Sequence, residues 1–207
     1  MESIHLDPIV SWILRLALAA LFATAAAHKL RDFLGFRETL AEYEILPRTM
    51  LLPASIGLVV SEGLIAIDLA TGWITNAFVG ATIGALASAG AEGSVNSGVP
   101  WAGLAAALLL ALYGAAIGIN LLRGRSEIDC GCLGPAVHQP LSSWLLVRNA
   151  ILATGALLAS LPLSNRDLQA VDGITLIGGF ILLSLLFNSA NGLAADRSRW
   201  LSSESLS

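Results

Sequence analysis

Long apolar stretches separated by short polar turns run through the whole of this 207-residue chain. Five of these stretches approach or exceed the roughly 20 apolar residues that a helix needs to cross the hydrocarbon core of a membrane. The pattern predicts an all-α fold, a transmembrane helical bundle of four to six spans that forms a single integral-membrane domain over residues 1–207. The predicted spans cover about 9–27, 51–70, 100–122, 143–162 and 172–190.

The polar segment after the first span, residues 28–50, has a helical pattern of its own. Large apolar side chains recur in it at helical spacing among charged ones, and Pro47 is a natural stop. This arrangement favours an amphipathic helix in the membrane interface over a plain connecting loop. The apolar positions are Phe33, Phe36, Leu40, Tyr43 and Leu46.

Composition agrees with a membrane protein, since 56% of the residues are hydrophobic and 13% are charged. The net charge of −4, without a long basic cluster, excludes a nucleic-acid-binding protein. The residues before the first apolar stretch contain no Lys or Arg, and Arg15 interrupts that stretch. We therefore expect this helix to stay in the mature protein rather than to be cleaved as a signal peptide.

Residues 74–91, rich in Gly and Ala, have a borderline length and hydrophobicity for a span. If they do not cross the membrane, eight Lys and Arg residues share one side against Arg166 alone, whereas a crossing makes the split five to four. Because the positive-inside rule expects asymmetry, it favours five spans, with 74–91 at the surface or re-entrant. The same rule places the loop after the third predicted span in the cytoplasm.

That loop contains both cysteines of the chain, Cys130 and Cys132, which are separated by Gly131. Glycine lets the backbone fold tightly enough for the two sulfurs to approach. A disulfide between them closes a very small ring, and strain makes such a bond easier to reduce, which suits a redox catalyst. Passive thiols are the alternative. A pair that makes or passes disulfides is most useful in an oxidising compartment, so this expectation conflicts with the cytoplasmic placement.

The surroundings of the cysteines define the remaining chemistry. Arg123 and Arg125 favour a thiolate, while Asp129 opposes it. A closed zinc site wants four ligands, and only His138 lies near enough in sequence to add one, so we predict no metal site. The chain has no second dithiol, so electrons must go to an external partner, either a membrane quinone or a thioredoxin-like protein.

Ionisable residues inside the predicted spans are the other functional candidates, because an unpaired charge in hydrocarbon is costly. Arg15 and Asp68 fall at similar depth in antiparallel spans, which favours a structural pair. Glu62, near the middle of its span, is suited equally to proton transfer and to packing. Arg148 lies about two turns into the fourth span, where it faces the sulfurs or a quinone carbonyl, or else snorkels to the interface.

Several of these motifs together resemble the MauE family of methylamine-utilisation membrane proteins, which is related to the DoxX-like group. The similarity covers roughly residues 12–160. Its most specific part is the arginine-rich run leading into Cys130-Gly131-Cys132, followed later by Arg148-Asn149. The other matching residues are His28-Lys29-Leu30-Arg31-Asp32, Phe36, Tyr43, Leu46-Pro47 and Glu62.

The resemblance implies a part in maturing methylamine dehydrogenase, whose small subunit is rich in disulfides, beside a thioredoxin-like partner of the MauD type. It implies that Cys130 and Cys132 are the redox pair of a thiol–disulfide oxidoreductase, with Arg148 and Glu62 in support. It also implies a multi-pass protein of the inner or plasma membrane, with the cysteine loop outside the cytoplasm.

Two other function classes stay open on the residues alone. The bundle can be a conduit for a small solute, with Glu62 and Arg148 as its internal polar site. Alternatively, it is a scaffold that holds a partner at the membrane through small-residue faces such as Gly80 and Gly84.

Overall fold

The structure is a computed structural model that describes residues 6–71, 101–125, 127–128, 141–161 and 169–204, with side chains in the last segment described only as far as residue 193. Within these ranges the chain forms helices joined by short turns. They are α1 (Pro8–Arg31), α2 (Phe33–Glu42), α3 (Leu51–Thr71), α4 (Trp101–Leu122), α5 (Ser143–Leu158) and α6 (Ala170–Glu204), with a 3-10 turn at Arg48–Met50 before α3.

Four segments of these helices are long and apolar enough to cross a membrane: α1, α3 with the turn before it, α4, and the part of α6 from Val171 to Leu193. The predicted class, a transmembrane helical bundle, is therefore confirmed. α5 is also apolar but has only 16 residues. Helix and predicted span differ at some ends, since α1 continues past 27 to Arg31 and α5 ends at Leu158 instead of 162. The uncertain stretch 74–91 lies outside the described residues.

Asp32 forms the junction between α1 and α2. Its N–H donates to the His28 carbonyl at 3.2 Å, and its side chain accepts a hydrogen bond from the Gly35 N–H at 3.0 Å. A Cβ on Gly35 would lie too close to Asp32 Oδ2, so a larger residue there requires the Asp32 carboxylate to shift. One acidic residue thus ends α1 and starts α2, the amphipathic helix that the pattern predicts.

The connections show which helix ends lie together. Arg125, after α4, forms an ion pair with Glu44, after α2. The Leu141 N–H, before α5, donates to the Ile128 carbonyl, after α4, at 3.1 Å. The end of α1, all of α2, the start of α3, the end of α4 and the start of α5 therefore share one end of the bundle, called here the loop end.

The opposite end holds the start of α1 and the start of α6. α6 packs along α1, and a Cβ on Gly179 would lie 2.5 Å from Ile13 Cδ1. Farther along α6, Asn191 contacts Arg148 near the start of α5, which lies at the loop end, so α1 and α6 run in the same direction.

The core is built from close helix packing rather than from large side chains alone. Ala106 of α4 and Ala156 of α5 are fully buried, and a Cβ on Gly103 would lie 2.7 Å from the Ala156 carbonyl oxygen. Small residues thus let the two helices approach closely, as is typical inside membranes. The outer face of α4 is apolar and open, with Leu108 63% and Leu112 56% exposed, as a lipid-facing surface requires.

Candidate functional site

Cys130, Gly131 and Cys132 lie outside the described residues, but the residues that flank their segment do not. The backbone hydrogen bond from Leu141 to Ile128 brings the two flanks together. Both flanks therefore meet at the loop end of the bundle.

Both flanking residues also pack into an apolar cluster, called here the base cluster. Leu141 is 3% exposed in it and Ile128 packs against it. The base cluster joins the turn after α2, the last third of α4 and the start of α5. Its buried members are Tyr43, Ile117, Leu141 and Leu145.

Arg123 and Arg125 both contact Glu44. Arg125 makes a two-pronged ion pair, with Nη1 2.7 Å from Glu44 Oε2 and Nη2 3.1 Å from Oε1, while Arg123 Nη1 donates to the Glu44 carbonyl oxygen at 3.4 Å. The backbone φ of Glu44 is 49°, in the left-handed region. The contact thus fixes the turn after α2 to the end of α4. Action of either guanidinium on a cysteine thiolate stays a prediction.

Glu62 is the centre of a buried polar triad with Lys29 and Tyr113. The Lys29 ammonium donates to Glu62 Oε1, the Tyr113 hydroxyl donates to the same oxygen at 2.6 Å, and Lys29 also donates to the Tyr113 oxygen at 3.1 Å. Lys29 and Glu62 are only 4% and 1% exposed. Each charge of this buried ion pair thus has a partner and a further hydrogen bond to Tyr113, while Glu62 Oε2 is buried without a hydrogen-bond partner among the described residues.

Sequence reasoning missed Lys29 and Tyr113 as partners of Glu62. The predicted first span ended at 27, which placed Lys29 among the surface charges of the following segment. Because α1 continues to Arg31, Lys29 instead faces α3 and is buried. One signal was available in the sequence: a carboxylate inside the membrane needs a cation at similar depth on the neighbouring antiparallel helix.

A cavity of about 660 Å³ lies beside the triad, enclosed by α2, α3 and α4. Its lining is largely apolar, and its polar members are Lys29, Thr39, Tyr43, Ser61 and Tyr113. The exposed residues Leu108 and Leu112 also line it, so the cavity opens toward the lipid-facing side of α4. The apolar face of α2 contributes Phe36 and Leu40.

Arg148 belongs to a second polar network, between α5 and α6. Its side chain is buried, and Nη1 lies 3.5 Å from Asn191 Oδ1. The neighbouring Asn149 is buried against α4, where a Cβ on Gly114 would lie 3.8 Å from its Cβ. Arg148 therefore points into the bundle and does not snorkel. Arg148 and Glu62 have different hydrogen-bond partners among the described residues. The structure therefore does not link Arg148 to Glu62 through shared hydrogen bonds.

Arg15 and Asp68, the predicted structural pair, interact at the opposite end of the bundle. Asp68 acts electrostatically on Arg15 across the α1–α3 contact. The Arg15 guanidinium also lies 5.2 Å from the centroid of the Trp12 ring, a cation–π distance. The interaction with Asp68 relates α1 to α3, whereas the contact with Trp12 lies within α1, and the role of the pair in holding the helices together stays a prediction.

Comparison with known proteins finds one family. The model of the family described as Methylamine utilisation protein MauE matches residues 7–162, a range that contains α1 to α5 and both cysteines. A protein of Paracoccus denitrificans named Methylamine utilization protein MauE is 36% identical over 157 residues, which cover 76% of this chain and 72% of that protein. A protein of Paracoccus versutus with the same name is 33% identical over 192 residues, covering 92% and 90%. No solved structure matches this chain.

Proposed function

We propose that this chain, which belongs to the MauE family of methylamine utilisation proteins, is a membrane thiol–disulfide redox protein. It is a multi-pass membrane protein, and the proposed task is the maturation of a disulfide-rich client such as the small subunit of methylamine dehydrogenase. The proposed reactive groups are Cys130 and Cys132. The observation that carries the proposal is the fastening of Ile128 and Leu141, which flank the cysteine segment, to the base cluster.

Rigid attachment of both flanks matters for the chemistry. A dithiol that exchanges with partner proteins has to be accessible, yet its position has to be reproducible so that partners dock in one geometry. The ion pair between Arg125 and Glu44 adds a second attachment on the approach to the cysteines. The backbone hydrogen bond and the ion pair both hold the approach to the cysteines at the loop end, as a docking site for partner proteins requires.

The proposed exchange conserves atoms and electrons. A thiolate of the client or of a thioredoxin-like partner attacks the Cys130–Cys132 disulfide and forms a mixed disulfide. The second thiol of that protein then displaces the bound cysteine, which leaves the partner oxidised and Cys130 and Cys132 as a dithiol. The two electrons and two protons then pass to an acceptor of the quinone class, which becomes a quinol.

Alkylation with a thiol-reactive mass tag tests the redox role in the intact membrane. We expect two tags to be added only after reduction, since the oxidised chain has no free thiol. If both sulfurs react without reduction under oxidising conditions and Cys130→Ser leaves the client's disulfides normal, the redox role is wrong.

The single variants Cys130→Ser and Cys132→Ser are matched controls for each other. In the reverse exchange, the cysteine of this chain that bonds to the partner attacks the disulfide of the oxidised partner, and the other cysteine of this chain then closes the Cys130–Cys132 disulfide and releases the partner as a dithiol. Loss of that other cysteine leaves the partner in the mixed disulfide, whereas loss of the bonding cysteine leaves no adduct. We expect one variant, and not both, to accumulate a reducible adduct on non-reducing gels. A partner that still co-purifies from the double serine variant, with client disulfides intact, favours the scaffold function instead.

A further inference from the structure

We infer that the cavity beside the Lys29–Glu62–Tyr113 triad binds the head group of a lipid-soluble quinone. This inference rests on the proposed redox function and assigns the site of its electron acceptor. The cavity volume of about 660 Å³ falls in the range of small-molecule sites. Its lining is mostly apolar, and the Lys29 ammonium and the Tyr113 oxygen lie 3.1 Å apart in it, as in a site that orients an apolar ligand by a few polar groups.

The charges at the cavity wall indicate which class of ligand the cavity binds. The ammonium of Lys29 is neutralised by Glu62 at the cavity wall, so the wall does not offer the unpaired positive charge that an anionic phospholipid head group would need. Two N–H groups of the ammonium donate to Glu62 and Tyr113. A third N–H of the ammonium can be given to a neutral acceptor such as a quinone carbonyl.

The walls suit the rest of such a molecule. The Phe36 ring lies 5.0 Å from Lys29 Nζ and lines the cavity, so a planar head group held by Lys29 lies next to an aromatic face. The opening past Leu108 and Leu112 faces the lipid. An isoprenoid tail can leave through this opening without crossing a polar surface.

The cavity also adjoins the attachment of the cysteine segment. Tyr43 and Ile117 line the cavity and are at the same time members of the base cluster that holds Ile128 and Leu141. The cavity and the attachment of the cysteine segment thus share these two side chains. In the inferred step the Cys130–Cys132 dithiol loses two electrons and two protons and becomes a disulfide, and the quinone gains both and becomes a quinol.

Photolabelling tests the site directly. The full chain in phospholipid nanodiscs is irradiated with an azido-substituted short-chain ubiquinone, with decylubiquinone as competitor, and the labelled peptides are mapped by mass spectrometry. We expect competed labelling on the parts of α2, α3 and α4 that line the cavity.

Two glycines of α3 provide a matched pair of variants. A Cβ on Gly57 or on Gly63 meets no atom within 4 Å, so both positions have open space at the Cβ, but of the two only Gly57 lines the cavity. We expect Gly57→Leu to fill the space and to lower labelling about tenfold or more, a loss of about 1.4 kcal/mol in binding, while Gly63→Leu labels like the parent. Equal labelling of both variants, or labelling that decylubiquinone does not compete, overturns the site.

Native mass spectrometry and the cysteine variants separate the other outcomes. A tightly held phospholipid that Gly57→Leu expels and decylubiquinone does not displace overturns the inference, because the cavity then holds a lipid and not a quinone. Labelling that persists in the Cys130→Ser/Cys132→Ser double variant supports the site even if the redox function fails. Undiminished quinone-dependent client oxidation by Gly57→Leu overturns the site and leaves the redox function standing.

Discussion

At the scale of single residues, the buried ion pair of Lys29 and Glu62 makes a prediction about stability. Glu62→Leu leaves an ammonium without its counter-ion in the bundle interior, which we expect to cost about 3–5 kcal/mol. Lys29→Met leaves an uncompensated carboxylate and costs a similar amount. The double variant Lys29→Met/Glu62→Leu removes both charges and recovers most of the loss, because two apolar side chains of similar size replace the pair.

Denaturant unfolding in detergent, followed by helix content, measures this double-mutant cycle. Tyr113→Phe is the control that keeps the aromatic ring, and we expect it to cost only about 1 kcal/mol for the lost hydrogen bond. A Glu62→Leu protein as stable as the parent would show that the pair does not form.

Single residues also show how much of the candidate site could be predicted from the sequence. Glu62 and Arg148 were identified because charges are rare in apolar stretches, and both are buried. Lys29 was misplaced because hydropathy alone ends a span where polar residues begin, whereas a helix can continue and turn one of those residues inward. Tyr113 gave no signal, since a tyrosine in an apolar helix is recognised as polar only when its hydroxyl has a visible partner.

At the scale of helices, Gly103 makes the second prediction. Gly103→Ala places a Cβ 2.7 Å from the Ala156 carbonyl oxygen, so α4 and α5 have to separate. We expect a loss of about 1–3 kcal/mol in unfolding free energy. Gly63→Ala is the control in an open helical position, where alanine is neutral or stabilising by up to about 1 kcal/mol. A Gly103→Ala protein at least as stable as the Gly63→Ala control would contradict close packing of α4 on α5.

The contact between the turn after α2 and the end of α4 predicts a small effect on stability, in contrast to Gly103. Arg125 and Glu44 are 33% and 68% exposed, so water screens their ion pair and Arg125→Gln should cost less than about 1 kcal/mol in unfolding free energy. Glu44→Gln should have an equally small effect, and the double variant should lose no more than either single one. A loss of several kcal/mol in either unfolding curve would mean that the pair supports the bundle as a whole.

The helices themselves were largely predictable, and their contacts were not. Apolar length indicated α1, α3, α4, α5 and α6, and the spacing of apolar residues after α1 indicated α2. The double cap at Asp32, in contrast, depends on a carboxylate that accepts a hydrogen bond from the Gly35 N–H, a contact that hydropathy does not reveal. The cavity likewise arises from where α2 lies against α3 and α4, which no periodicity specifies.

At the scale of the whole molecule, the buried ion pair of Lys29 and Glu62 changes which cations help to predict the orientation in the membrane. The positive-inside rule counts cations near the membrane surface, but Lys29 is buried with Glu62 and is no longer one of them. The remaining cations at the loop end still favour the cytoplasm, while the proposed redox function favours the oxidising side. A measurement of the orientation in the membrane is therefore the most direct test of the proposed function.

Site-directed labelling predicts the arrangement of the ends. In a Cys130→Ser/Cys132→Ser background, Glu42→Cys and Glu127→Cys place exposed thiols at the end of α2 and after α4, and Gln169→Cys places one before α6. Because the first two lie at the loop end and the third at the opposite end, we expect an impermeant maleimide to label Glu42→Cys and Glu127→Cys from one side of sealed vesicles. Gln169→Cys should react from the other side.

The side on which the first two react decides between the two arguments. Reaction from the extracytoplasmic face is the outcome that the proposed function requires, because there the cysteine pair can remain oxidised and meet an exported client. Reaction from the cytoplasmic face would remove the client from reach, since reducing thiols keep such a pair open in that compartment. Permeabilised vesicles, in which all three variants should react equally, control for thiols that are merely hidden.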